Sequence, residues 1–138
     1  FCAGSFSAGE HNDCVAMAKQ FADRTHFVHL RSCYIFPDGN FTEASHLGGR
    51  GHLIELCRIF EKAEQEGKCN SGRRLPMRVD HGMTFTDEPG GVFDESNHGH
   101  NAGYTLLGRM FAMGQIQGVI ATVDDELGIE YKQPGFYD

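Results

Sequence analysis

The 138 residues suffice for one domain with one hydrophobic core, and they carry 19 acidic against 12 basic side chains, a net charge of -7. That balance excludes partners that select basic faces, nucleic acid above all. No stretch reaches the roughly 18 to 20 apolar residues of a bilayer crossing, and no basic-then-apolar leader opens the chain, so a soluble, cytoplasmic protein with no membrane partner is expected.

Phe1-Cys2-Ala3-Gly4-Ser5 opens the chain with an apolar end that delivers a thiol. Asn12-Asp13 is a helix cap, and Val15, Ala18 and Ala22 follow at helical spacing, with Cys14, Met17 and Phe21 widening the stripe. The β-rich segment Thr25 to Leu30 predicts a buried strand ending at His29-Leu30-Arg31-Ser32. From Tyr34 to Arg50, Pro37-Asp38-Gly39 and Gly48-Gly49 are turn signals without a sustained period, which predicts a long loop.

A second helix is predicted at about Gly51 to Gly67, with Leu53, Leu56, Cys57 and Phe60 inside and Glu61, Lys62, Glu64 and Glu66 outside. After a polar connector, Lys68 to Arg74, the strand Leu75 to Val79 runs into Asp80-His81-Gly82. Met83 to Asn101 is polar and glycine-rich, a second long loop. A third helix is predicted from Tyr104 to about Val123 despite Gly108, Gly114 and Gly118, and the tail Asp124 to Asp138 carries weak signals. The five cysteines are odd in number and lack CxxC spacing, so free thiols are expected rather than a disulfide framework or zinc ribbon.

Strands alternating with helices build a parallel α/β sheet, and in such sheets the carboxyl ends of the strands share one face. Cys2, His29 and Asp80 each follow a strand and are expected to converge there. Sulfur, imidazole and carboxylate together suit iron, manganese or zinc better than magnesium or calcium. Taken singly, His29 reads as a hydrogen-bonded strand-end histidine and Asp80 as a turn cap; their joint placement with Cys2 carries the metal reading. His81, next to a candidate ligand and pointing elsewhere, is placed to act on a substrate, and Tyr104 lies at the mouth of the same face. Arg31 has two readings, a clamp on a substrate carboxylate or a loop salt bridge.

These pieces, together with Phe41-Thr42-Glu43-Ala44-Ser45-His46-Leu47, Arg78-Val79-Asp80-His81-Gly82 and Gly103-Tyr104 leading to Gly108-Arg109, resemble the carboxyl-terminal part of the D-mannonate dehydratase family over residues 1 to about 120. The resemblance implies the last strands and helices of a xylose-isomerase-like (β/α)8 TIM barrel. It implies Mn2+ or Fe2+ on Cys2, His29 and Asp80, acid/base work by His81 and Tyr104, and a sugar-acid substrate contacted by Arg31 and His46. A homo-oligomer is compatible with it. A full barrel typically needs about 250 residues, so the chain is expected to be one partial domain, with barrel units to about residue 123 and a tail from 124 to 138.

Departures from the family pattern are Thr42, Val79 before Asp80, Ala102 before Gly103, the basic stretch Arg50-Gly51-His52, and a long His81 to Tyr104 loop. The reaction implied is loss of water from D-mannonate to give 2-keto-3-deoxy-D-gluconate, a lyase step of glucuronate catabolism. Two other readings stand beside it: a metal-dependent sugar isomerase or epimerase on the same barrel, and an inactive metal-binding remnant.

Overall fold

Asp13 starts the first long helix: its carboxylate accepts from the backbone N–H groups of Val15 and Ala16, both at 3.0 Å, and α2 runs Cys14–Phe21. The computed structural model describes residues 1–85 and 103–130. Before α2 stands a short helix, α1, Ala3–Ser7. The strand predicted at Thr25 to Leu30 is trimmed to β1, Val28–His29, and the one predicted at Leu75 to Val79 to β4, Met77–Arg78. They pair in parallel, Val28 with Met77 and His29 with Arg78, and Cys2 adds a parallel bridge to His29. Backbone bonds from Leu30 to the Arg78 carbonyl and from His29 to the Phe1 carbonyl, each 2.8 Å, close the three-segment parallel array.

The second predicted helix forms as α3, Leu53–Gln65, and buries Leu53, Leu56, Cys57, Phe60 and Ala63. Phe60, Leu56, Leu30 and Val28 are fully enclosed at the centre of the core. At about 1.5–3 kcal/mol for each large apolar side chain buried, this one helix face outweighs any surface ion pair in the molecule. The third helix, α4, spans Leu106–Leu127 and packs on α3 through Ala112, Ile116 and Val123. It closes at Gly128, whose φ of 68° lets its N–H reach back to the Asp124 and Asp125 carbonyls.

Three expectations need correction. The predicted loop Tyr34 to Arg50 contains an antiparallel hairpin, β2 (Cys33–Ile35) with β3 (Phe41–Glu43), joined through Pro37-Asp38-Gly39. Its strands are three residues long with Tyr34 and Phe41 exposed, so no burial alternation marks them. The tail is helical as far as Leu127, because Val123 is buried in the core and Leu127 packs against it. Finally, α4 is long and apolar enough to cross a membrane by length and composition alone. Arg109, Gln115 and Gln117 break any continuous apolar run, so only the average over the helix reaches that level. Most of the predicted second loop, and the last eight residues of the tail, lie outside the described residues.

Candidate metal centre

The parallel register sets Cys2, His29 and Arg78 side by side in one row across three segments. Partners in a parallel ladder project to the same face, so the thiol and imidazole expected to converge do so. Beyond Val79 the chain turns sharply: Asp80 adopts φ 56°, the left-handed region that few non-glycine residues enter but which aspartate tolerates better than most. That turn brings its carboxylate to His29, with Oδ2 3.5 Å from Nδ1. The ligand atoms of Cys2, His29 and Asp80 all lie within 4.8 Å of one another.

The donor set fits a divalent transition ion. Two bonds of about 2.1 Å meeting near the tetrahedral angle hold their outer atoms about 3.4 Å apart, close to the His29–Asp80 separation. Burial lowers the pKa of His29, against the opposing pull of Asp80, which favours the neutral ring that a metal needs. The Cys2 sulfur caps α1, accepting from the Ser5 N–H at 3.4 Å and the Ser5 hydroxyl at 3.2 Å.

Around Asp80 stands a polar ring. The Tyr104 hydroxyl donates to Oδ1 at 3.2 Å, and Arg78 Nη2 is 3.6 Å from the same oxygen. Arg31 Nη1 and His81 Nε2 lie 3.8 and 3.9 Å from Oδ2. The His81 and Tyr104 rings are in tilted contact, centroids 4.3 Å apart, and the Arg109 guanidinium lies over the Tyr104 ring, 5.5 Å from its centroid. Tyr104 is held just outside α4, so it does not open the helix as predicted; Thr105 is the cap.

Close glycine packing sets that geometry. The Gly82 N–H donates to the Gly103 carbonyl at 2.8 Å, and the Gly103 N–H to the Thr84 hydroxyl at 3.0 Å. A Cβ on Gly82 would meet the Gly108 carbonyl, and one on Gly108 the Met83 carbonyl, both closer than the 3.0 Å that real Cβ atoms keep. The first turn of α4 is therefore pressed onto the strand-end turn that carries Asp80 and His81.

Arg31 adopts the second of its two readings. Its Nε and Nη2 donate to the two oxygens of Glu43 at 2.8 and 2.6 Å, and its side chain is 13% exposed. His46 is fully buried, with Nε2 donating to the Val79 carbonyl at 2.8 Å. It braces the end of the strand instead of lining the open face, and burial lowers its pKa. Glu43 and Arg78 were missed in the sequence. Glu43 becomes visible only once the hairpin register pairs it with Cys33, whereas the two-residue step from Arg78 to Asp80 on a strand was a readable signal. A groove of about 590 Å3 beside Glu10, Tyr34, Phe36 and Arg50 shares no residue with this centre.

Parallel segments that deliver a thiol, an imidazole and a carboxylate to one point, with a histidine and a tyrosine in contact beside them, define the class: an α/β chain with a candidate metal-dependent acid–base centre. The family model for D-mannonate dehydratase (UxuA) matches residues 1–129. The chain belongs to the D-mannonate dehydratase family. It is similar to mannonate dehydratase 2 of Agrobacterium fabrum, 38% identical over 91% of this chain and 30% of the relative. It is also similar to the mannonate dehydratase of Saccharophagus degradans, 37% identical over 89% and 30%. The crystal structure of mannonate dehydratase from Streptococcus suis serotype2 superposes with a TM-score of 0.69 at 19% identity, covering 99% of this chain and 36% of that one. The chain thus spans about 30% of the length of the curated relatives it matches.

Proposed function

We propose that this chain supplies the last βα units, residues 1 to about 123, of a xylose-isomerase-like (β/α)8 barrel that removes water from D-mannonate to give 2-keto-3-deoxy-D-gluconate. The single observation behind this reading is the meeting of Cys2, His29 and Asp80 within 4.8 Å beside the His81–Tyr104 pair, in a chain of the D-mannonate dehydratase family. Cys2, His29 and Asp80 would hold Mn2+ or Fe2+. A divalent ion there supplies positive charge against the negative charge that builds on the substrate carboxylate as its α-proton leaves.

The chain's own groups handle the protons. One leaves C2 of the sugar acid, the hydroxyl on C3 departs with another as water, and the resulting enol tautomerises to the 2-keto acid. His81 and Tyr104 share these transfers, since their rings are in contact and the phenol already donates to Asp80. Arg31 and His46 support the centre from behind: one is tied to Glu43 and the other to the Val79 carbonyl.

The test is a chimera in which this chain replaces the matching span of the Agrobacterium fabrum relative, loaded with Mn2+ and given D-mannonate. The expected product is the 2-keto-3-deoxy acid, detected by its periodate–thiobarbiturate colour. A metal-loaded chimera that returns an epimerised or isomerised acid, or nothing, overturns the dehydratase reading.

A further inference from the structure

Resting on that reading, we propose that Arg78 is the guanidinium that grips the substrate's carboxylate and so selects a sugar acid over a neutral sugar. Three guanidinium groups surround the centre, and two are committed. Arg31 places both arms of its fork on Glu43 and is nearly enclosed. Arg109 lies against the face of the Tyr104 ring from α4.

Arg78 differs in position and in pairing. It stands in the same row as Cys2 and His29, so it projects beside the candidate ligands rather than behind them. Its side chain is 41% exposed, and its nearest ion-pair partner among the described residues, Asp80 Oδ1, is 3.6 Å away, too long for a hydrogen bond that would use up the fork.

Charge counting points the same way. Asp80 is shared among His29, Arg31, Arg78 and His81 at 3.5 to 3.9 Å, and Glu43 pairs with Arg31 at 2.6 Å. Among the described residues Arg78 is left as the cation of the ligand row without a close carboxylate of its own. A planar guanidinium takes a carboxylate through two parallel hydrogen bonds, a geometry that a hydroxyl or aldehyde cannot return. The carboxylate of the proposed sugar-acid substrate would therefore sit on Arg78, beside the candidate ligand row.

The experiment compares Arg78→Gln and Arg78→Lys with the parent in the Mn2+-loaded chimera. Mn2+ affinity is read by electron paramagnetic resonance, and retention of D-gluconate against uncharged D-mannitol by Mn2+-induced broadening of their proton resonances. The parent is expected to prefer D-gluconate, and Arg78→Gln to lose about tenfold or more of that preference, with the KM for D-mannonate rising alike. Mn2+ affinity stays within about twofold, since the contact to Asp80 is long. Arg78→Lys, which keeps the charge but not the fork, falls between them and serves if the glutamine variant does not fold. An unchanged preference for D-gluconate, or a loss of Mn2+ affinity in step with it, overturns the proposal, the latter making Arg78 a support for Asp80 only. A parent that retains D-gluconate but forms no 2-keto-3-deoxy acid sinks the dehydratase reading, while the retention measurement still decides the role of Arg78.

Discussion

His81 and Tyr104 differ in how they are held, and that difference sets what each substitution does. Tyr104 is fixed through its hydroxyl to Asp80, whereas His81 faces the same carboxylate at 3.9 Å, beyond hydrogen-bond range. We expect His81→Asn in the chimera to lower turnover by about a hundredfold or more with the Mn2+ content per chain unchanged, measured by steady-state assay and metal analysis on one preparation. Normal turnover would remove His81 from the proton path. At this scale the sequence was most readable where a residue's role depends on its own strand. His29 and Asp80 each close an apolar run and Cys2 follows Phe1, so their convergence could be deduced from the parallel alternation. Arg31 stayed ambiguous because its partner, Glu43, comes from a hairpin that the sequence does not announce. His46 belongs to the same group, since the carbonyl that fixes its ring is set by tertiary packing.

Among the elements, the contact between the strand-end turn and α4 governs how His81 and Tyr104 meet. Gly82, Gly103 and Gly108 let two backbones touch, and only that approach brings the Tyr104 hydroxyl to Asp80. Gly108→Ala puts a methyl group against the Met83 carbonyl and should push the start of α4 outward. The expected result is a kcat lowered about tenfold or more with Mn2+ affinity within about twofold, because Cys2, His29 and Asp80 lie on the other side of the contact. An equal loss of metal would show that the turn and the helix cannot be moved separately. In the sequence these glycines appeared as weaknesses in a helix; their use is visible only when the opposing carbonyls are known. The boundaries of α4 failed for a related reason. Asp124 reads as a break in the apolar pattern, but Val123 before it and Leu127 after it both pack on the core and carry the helix past it.

For the molecule as a whole, the packing of α3 on α4 carries an electrostatic cost. Burial pushes the Glu61 carboxyl up to about 7 from an ordinary 4.5, and the charges of Asp124 and Glu64 add to it. Asp124 is raised as well, by burial first and Glu64 second, and its Oδ1 has no hydrogen-bond partner among the described residues. A carboxyl whose folded pKa lies above its unfolded one favours the fold at low pH and loses that contribution as pH rises through the folded value. The stability gained by Glu61→Gln over the parent should therefore grow between pH 4.5 and about 7. It should level off above that range at about 1–2 kcal/mol, the part-exposed position reducing the full value. Urea unfolding of the chimera at pH 5 and pH 8 checks this; a gain that does not change with pH would place the proton elsewhere.

The row of Cys2, His29 and Arg78, with Asp80 folded over it, has a mechanical meaning too. The candidate donors Cys2, His29 and Asp80 stand 27 and 51 positions apart along the polypeptide. A single cation shared by them would rivet distant stretches of backbone together, so the same ion that serves as a reagent would also fasten the scaffold presenting it.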